Sequence, residues 1–231
     1  MIDYYQEVTP INRPVHNLVF HGVGSPNREL PLHESRYWIT HKQWLMICDD
    51  LATRQDVVMT FDDGNDSDLS IVLSTLTERH LKAKFFISTA LLGQPGYLTR
   101  SGVRRLYEAG MDIGSHGHEH VNWRQLDPAV LAGQIDRSLE ILESICETPI
   151  TDAAMPSGQY DRQVLAVLRR AGFEKVYTVD GPWSATRRWI QPRYPVRQSD
   201  TVQSLNRVLN ASRISFQNVR RIGRRWIKRI R

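Results

Sequence analysis

Residues 56–89 read DVVMTFDDGNDSDLSIVLSTLTERHLKAKFFIST. Residues 56–61 are an apolar run of the kind that forms a buried strand, closed by two carboxylates and a glycine. Leu69, Val72, Leu73 and Leu76 then recur at helical spacing, with Asp66 or Ser67 placed to cap the helix over 66–80. Residues 82–89, KAKFFIST, return to a strand. Strand, helix, strand is the unit of a parallel sheet, and it repeats outward in both directions. Upstream stand a strand at 17–23 and a helix at 39–54. Downstream come a helix at 100–110, a strand at 111–115, a helix at 127–147 with proline at its start, a strand at 152–156, a helix at 161–172 and a strand at 175–180. The number of units fits an α/β barrel better than a short open sheet, and in such barrels chemistry gathers at the C-terminal strand ends.

The chain has 231 residues, 41% hydrophobic and 24% charged, enough for one full core. It holds no run of 18 apolar residues, so no transmembrane helix is indicated. The opening, MIDYYQEVTPINRP, has neither a basic n-region nor an apolar h-region, so the expected location is cytoplasmic. Cys48 and Cys146 are the only cysteines and fall in helical segments, which predicts free buried thiols.

Charge is unevenly placed. Residues 207–231 hold eight arginines, one lysine and no acid, a charge of +9 within a whole-chain net of +5. That leaves −4 on residues 1–206, read here as the catalytic barrel. The imbalance argues against nucleic acid as the partner of the whole protein. The final stretch, SFQNVRRIGRRWIKRIR (215–231), places Val219, Ile222, Trp226 and Ile230 on one stripe of a helix and its cations on the other side. A basic amphipathic helix of this kind suits an anionic membrane surface, on the cytoplasmic face for a cytoplasmic protein.

The residues after the strands carry the chemistry. Asp62-Asp63-Gly64 follows the strand at 56–61. GSHGHEH (114–120) ends the strand at 111–115. Ser157-Gly158-Gln159-Tyr160 follows the strand at 152–156, and His21 sits within 17–23. In a parallel barrel all four groups converge. Adjacent carboxylates plus imidazoles, without thiolates, suit Zn²⁺ or a similar divalent ion. Consecutive residues of an extended chain point apart, so one aspartate is free to ligate while the other faces a water. Gly114 and Gly117 favour a turn after the strand, and in a helical turn His116 and His120, at i and i+4, share a face while His118 points away.

TFDDG (60–64), GSHGHEH and MPSGQY (155–160) together resemble, in order and spacing, the polysaccharide deacetylase family, the NodB-homology group known as carbohydrate esterase family 4. The resemblance covers about residues 16–200. It implies a distorted (β/α)₇ barrel in a single domain, followed by the basic helix. It implies Asp62 as general base, and Asp63, His116 and His120 as ligands of one divalent metal ion, Zn²⁺ foremost with Co²⁺ or Ni²⁺ also compatible.

Three departures matter. The third motif of the family carries an arginine that tethers the catalytic aspartate, and DAAMPSGQY (152–160) has none; Arg193 in QPRYPV is the candidate replacement or a substrate contact. The C-terminal motif that supplies the acid histidine is missing. VFHGVG (19–24) instead resembles the start of the permuted subgroup that includes poly-N-acetylglucosamine deacetylases, which implies His21 as the acid that protonates the leaving amine. No export signal like that of wall-modifying members is read in the opening residues, so an extracellular polymer is the less expected substrate. Tyr160 and Trp183 are further candidates for substrate contact, Trp183 by stacking on a sugar face. The implied function is metal-dependent removal of acetyl from an N-acetylated sugar of a glycan or polyprenyl-linked precursor. Hydrolysis of another C–N bond, as by a deformylase or cyclic amidase, and a non-catalytic sugar-binding or membrane-associated role stay open at the level of sequence.

Overall fold

The structure is a computed structural model that describes residues 13–211. Its strands in chain order are β1 (Pro14–Phe20), β2 (Val57–Asp63), β3 (Ala83–Ile87), β4 (Asp112–Ser115), β5 (Asp152–Ala154), β6 (Lys175–Thr178), β7 (Trp183–Ala185), β8 (Ile190–Pro192) and β9 (Tyr194–Pro195). Its helices are α1 (Leu32–Ser35), α2 (His41–Leu51), α3 (Leu73–Glu78), α4 (Arg100–Glu108), α5 (Pro128–Cys146), α6 (Arg162–Arg170) and α7 (Val202–Asn210). β1 to β6 and then β8 pair in parallel, seven strands in all, while β7 runs antiparallel beside β1 and β9 lies parallel to it. The result is a nearly closed α/β barrel. Side chains bridge its seam: the Asn17 amide donates to Gln191 Oε1 and to the Pro192 carbonyl, both at 3.0 Å, and the Gln191 amide donates to the Ala185 carbonyl.

Local chemistry starts the helices where the periodicity predicts. Thr40, Thr99 and Asp161 each accept a backbone N–H in the first turn of α2, α4 and α6. Trp44, Ile47, Cys48 and Leu51 then form the buried face of α2 at i, i+3, i+4 and i+7. Strand alternation divides the core into two layers. Phe20, Phe61 and Phe85 stack in register at 5.2 and 4.9 Å between rings and meet Trp44 of α2. Their neighbours Thr60, Asp62 and Phe86 face the other way, into the barrel, with Tyr177 and Arg193. Each such buried apolar side chain contributes about 1.5–3 kcal/mol. Gly114 on β4 is dictated by that filling, because a Cβ there would stand 2.5 Å from the Phe86 ring.

Some boundaries differ from the sequence reading. The helix over 66–80 begins as a wide π turn, Asp68–Val72, before α3. The short strands β7 to β9 lack the length to show a period. The division at 206/207 falls inside α7, which a capping box of Thr201 and Ser204 starts and whose Leu205 and Leu209 are buried in the core. Residues 207–210 therefore pack with the barrel, and the proposed amphipathic helix lies outside the described residues. Cys48 and Cys146 are free and buried.

Candidate metal and hydrolytic site

The C-terminal strand ends open into a cavity of about 400 Å³, lined by His21, Asp62, Asp63, His116 and His120 among others. β2 delivers both aspartates, by a route the alternation rule does not foresee. Asp62 points inward as a strand residue should. Asp63 would point away, but its φ is 78°, a left-handed conformation that swings its carboxylate back over the strand ends. Asp63 Oδ1 then lies 3.5 Å from His116 Nε2 and 3.3 Å from His120 Nε2.

His116 follows β4 and is fully buried. Its Nδ1 lies 2.9 Å from the Ala154 carbonyl oxygen, which can only accept, so the proton sits on Nδ1 and the Nε2 lone pair faces Asp63. Burial pushes its pKa down to about 4. His120 reaches the same point from the exposed side. The two are brought together by a bend at Gly117, whose φ is 79°, and not by the helical turn read from the sequence. The bend turns His118 away, where its Nδ1 pairs with the Thr89 hydroxyl at 2.9 Å.

These residues fit a divalent cation. Asp63 Oδ1 is buried with no hydrogen-bond donor, and it faces two ring nitrogens, one of them fixed as a lone pair. The three ligand atoms lie within 4.8 Å of one another. Ligands at ~2.1 Å around a tetrahedral ion stand roughly 3.4 Å apart, close to the 3.3 and 3.5 Å found here.

Asp62 is held differently. Arg193, between β8 and β9, forks onto it with Nη1–Oδ1 at 2.6 Å and Nη2–Oδ2 at 2.7 Å, and also donates to the Thr60 hydroxyl and the Thr178 carbonyl. Burial opposes ionisation of Asp62, but the charge and hydrogen bonds of Arg193 outweigh it and hold the carboxyl below its usual range. The arginine missing from the third motif thus has a counterpart at the junction of β8 and β9. Arg193 has no exposed surface, and its fork holds Asp62 in place. His21, just beyond β1, lines the cavity and stacks on Tyr37 at 5.0 Å.

Two other candidates move away from the cavity. Tyr160 is buried and its hydroxyl donates to Asp180 at 2.8 Å. Trp183 pairs with His16 near the start of β1, at the far end of that strand from His21, and packs edge-on against the His16 ring at 5.3 Å. Neither lines the site. Pro31, Glu34, Arg36 and Tyr37 make a wall of the cavity that was not foreseen from the sequence, and Tyr97 also lines it. A signal was available, since residues 31–37 follow the strand end that carries His21, and such connections begin on the catalytic face.

A sequence profile described as Polysaccharide deacetylase matches residues 50–176, more than half of the chain, and the chain belongs to that family. Membership implies a hydrolase of the carbohydrate deacetylase class. YxkH of Bacillus subtilis (strain 168), assigned as a polysaccharide deacetylase, is 23% identical over 192 residues, spanning 77% of this chain and 68% of that protein. The Bacillus cereus protein named peptidoglycan-N-acetylglucosamine deacetylase is 31% identical over 93 residues, 40% of this chain and 32% of that one. The solved Streptococcus pyogenes deacetylase PplD, in complex with acetate, superposes with a TM-score of 0.76 at 15% identity, over 87% of this chain and 100% of that chain. At that identity the likeness speaks for the fold.

Proposed function

We propose that the protein is a metal-dependent N-deacetylase acting on an N-acetylated sugar of a glycan or of a polyprenyl-linked precursor. One observation carries this reading. A buried aspartate clamped in its ionised form lies beside a separate Asp-His-His set in one cavity, with a further histidine lining it. A divalent cation held by Asp63, His116 and His120 would supply Lewis-acid polarisation of the acetamide carbonyl and an acidified water. Asp62 accepts the proton of the attacking water as the new C–O bond forms. Its two oxygens are held by the Arg193 fork, so its carboxylate keeps one orientation through the step. His21 gives a proton to the nitrogen as the C–N bond breaks, leaving acetate and a free amine. Burial keeps His116 neutral and its Nδ1 proton tied to Ala154, so that ring does not compete as an acid.

The test is free-amine release from a panel of N-acetylated sugars, oligosaccharides and polyprenyl-linked sugars, with formamide and cyclic amide substrates beside them, plus and minus chelator. Asp63→Ala is expected to lose bound metal by elemental analysis. Asp62→Asn is expected to keep metal and lose about 10²–10⁴-fold in turnover. Full turnover in Asp62→Asn sinks the assignment of the base.

A further inference from the structure

The wall over the cavity carries a pair of cations that the hydrolytic chemistry does not use. Arg36 lines the cavity, and its guanidinium lies 4.8 Å from the centre of the Tyr37 ring. Arg197, on the segment after β9, lies 6.0 Å from the same ring. The two segments are pinned together: the Gln198 N–H donates to the Arg36 carbonyl at 2.8 Å, and the Gln43 amide donates to the carbonyls of Arg197 and Asp200. Among the described residues neither guanidinium has a carboxylate partner. The acids nearby are already engaged. Glu34, on the same wall, is forked by Arg28. The Asp200 carboxylate accepts from the Tyr194 and Ser204 hydroxyls and from the Arg197 backbone N–H. Asp62 is neutralised by Arg193, and Asp63 belongs to the metal set.

Two guanidiniums without carboxylate partners, Arg36 on the cavity wall and Arg197 on the segment pinned to it, bring positive charge to one aromatic ring at the edge of the site. Guanidinium forks match the oxygens of phosphate or carboxylate, and the tetrahedral phosphorus of an ester or diester sets its oxygens in more than one plane, which suits two forks approaching from different segments. Tyr37 ties this charge to the chemistry, because its ring also stacks on His21. We infer that Arg36, Tyr37 and Arg197 form a subsite for a phosphate group carried by the substrate next to its N-acetylated sugar. The inference rests on the deacetylase reading and names the substrate class within it, a sugar phosphate ester or diester.

The experiment compares N-acetylglucosamine, its 1-phosphate and the methyl phosphodiester of that phosphate, by amine release and by calorimetric binding. Both phosphorylated forms are expected to exceed the neutral sugar by about tenfold or more in kcat/KM and in affinity. The monoester and diester arms separate a free sugar phosphate from a linked one. In the Arg36→Ala/Arg197→Ala variant the ratio is expected to fall towards one. Arg36→Lys is expected to keep only part of it, since lysine lacks the fork. Arg170→Ala, which removes the same charge from α6, is expected to keep the full ratio. Both substituted arginines of the double variant lie at the surface of the wall, and its melting temperature checks that it is folded. A ratio near one in the native protein overturns the inference, and so does a preference that survives the double substitution, which would place the phosphate on the metal. Turnover of the neutral sugar without phosphate preference sinks the subsite and leaves the deacetylase reading standing. Phosphate-dependent binding lost in the double variant, with no amine released from any arm, does the reverse.

Discussion

Replacing Arg193 removes the charge that keeps Asp62 ionised inside the barrel. The guanidinium is fully buried, meets both Asp62 oxygens at 2.6 and 2.7 Å, and fills the space between Phe86 and Tyr177. Removing one partner of a buried pair costs about 3–5 kcal/mol. Against a total stability of roughly 5–15 kcal/mol, Arg193→Ala is expected to be barely folded. Arg193→Met keeps most of the volume and carries the test. The sign follows from the depressed pKa of Asp62. A carboxylate held low in the fold contributes stability that is fully present above its unfolded pKa, about 3.9, and is lost as pH falls through the folded value. The gap between native and Arg193→Met proteins in urea unfolding is thus expected to be widest near pH 7 and to narrow below about pH 4. Without the arginine, burial acts unopposed and raises the pKa of Asp62, so the acid limb of kcat/KM against pH shifts upward. Arg193→Lys, keeping the charge without the fork, is expected to lie between. An Arg193→Met protein within about 1 kcal/mol of native at pH 7, with an unmoved acid limb, would show that Arg193 is only filler.

Further outcomes can be checked separately. Asp68 is fully buried, its two oxygens have no hydrogen-bond partner among the described residues, and burial followed by the charges of Asp63, Asp66 and Asp62 holds its pKa well above the usual value. Such a group loses stability as pH rises above about 3.9, so in chelator Asp68→Asn is expected to stabilise the protein at pH 7.5 by ~1 kcal/mol or more and by little at pH 4; a gain that does not grow with pH refutes this in urea titrations. Tyr160→Phe is expected to cost about 1 kcal/mol of stability through the lost bond to Asp180 and, like Trp183→Ala, to leave KM unchanged; a several-fold rise in KM from either would return that residue to the substrate site. Removing residues 212–231, after α7, is expected to abolish sedimentation with anionic liposomes while amine release continues, and unchanged sedimentation discards the membrane surface as a partner.

The barrel was legible in residues 56–180 because the helices there show their apolar period and the strands β2 and β3 are compact apolar runs, which set the alternation that the shorter strands continue. Residues 183–195 gave no such signal. Strands of three, three and two residues are too short for a period, so the seam and the path of Arg193 into the barrel could not be foreseen. Asp63, His116 and His120 were readable as candidates from their chemistry and from their place after strands. Their convergence depends on two backbone angles, at Asp63 and Gly117, that no spacing rule encodes. Tyr160 and Trp183 misled for a simpler reason. An aromatic residue in a loop looks the same in sequence whether its ring faces a cavity, a buried carboxylate or the opposite end of a strand.

The left-handed backbone at Asp63 has an evolutionary consequence. Aspartate pays a conformational penalty of order 1–3 kcal/mol there, which glycine would escape and asparagine would reduce. Both replacements give up the carboxylate. Wherever selection for hydrolysis relaxes in a descendant of this chain, mutation at position 63 therefore runs downhill in folding energy. Such descendants are expected to be sturdier proteins than their ancestor, with asparagine or glycine at this position marking the loss of activity.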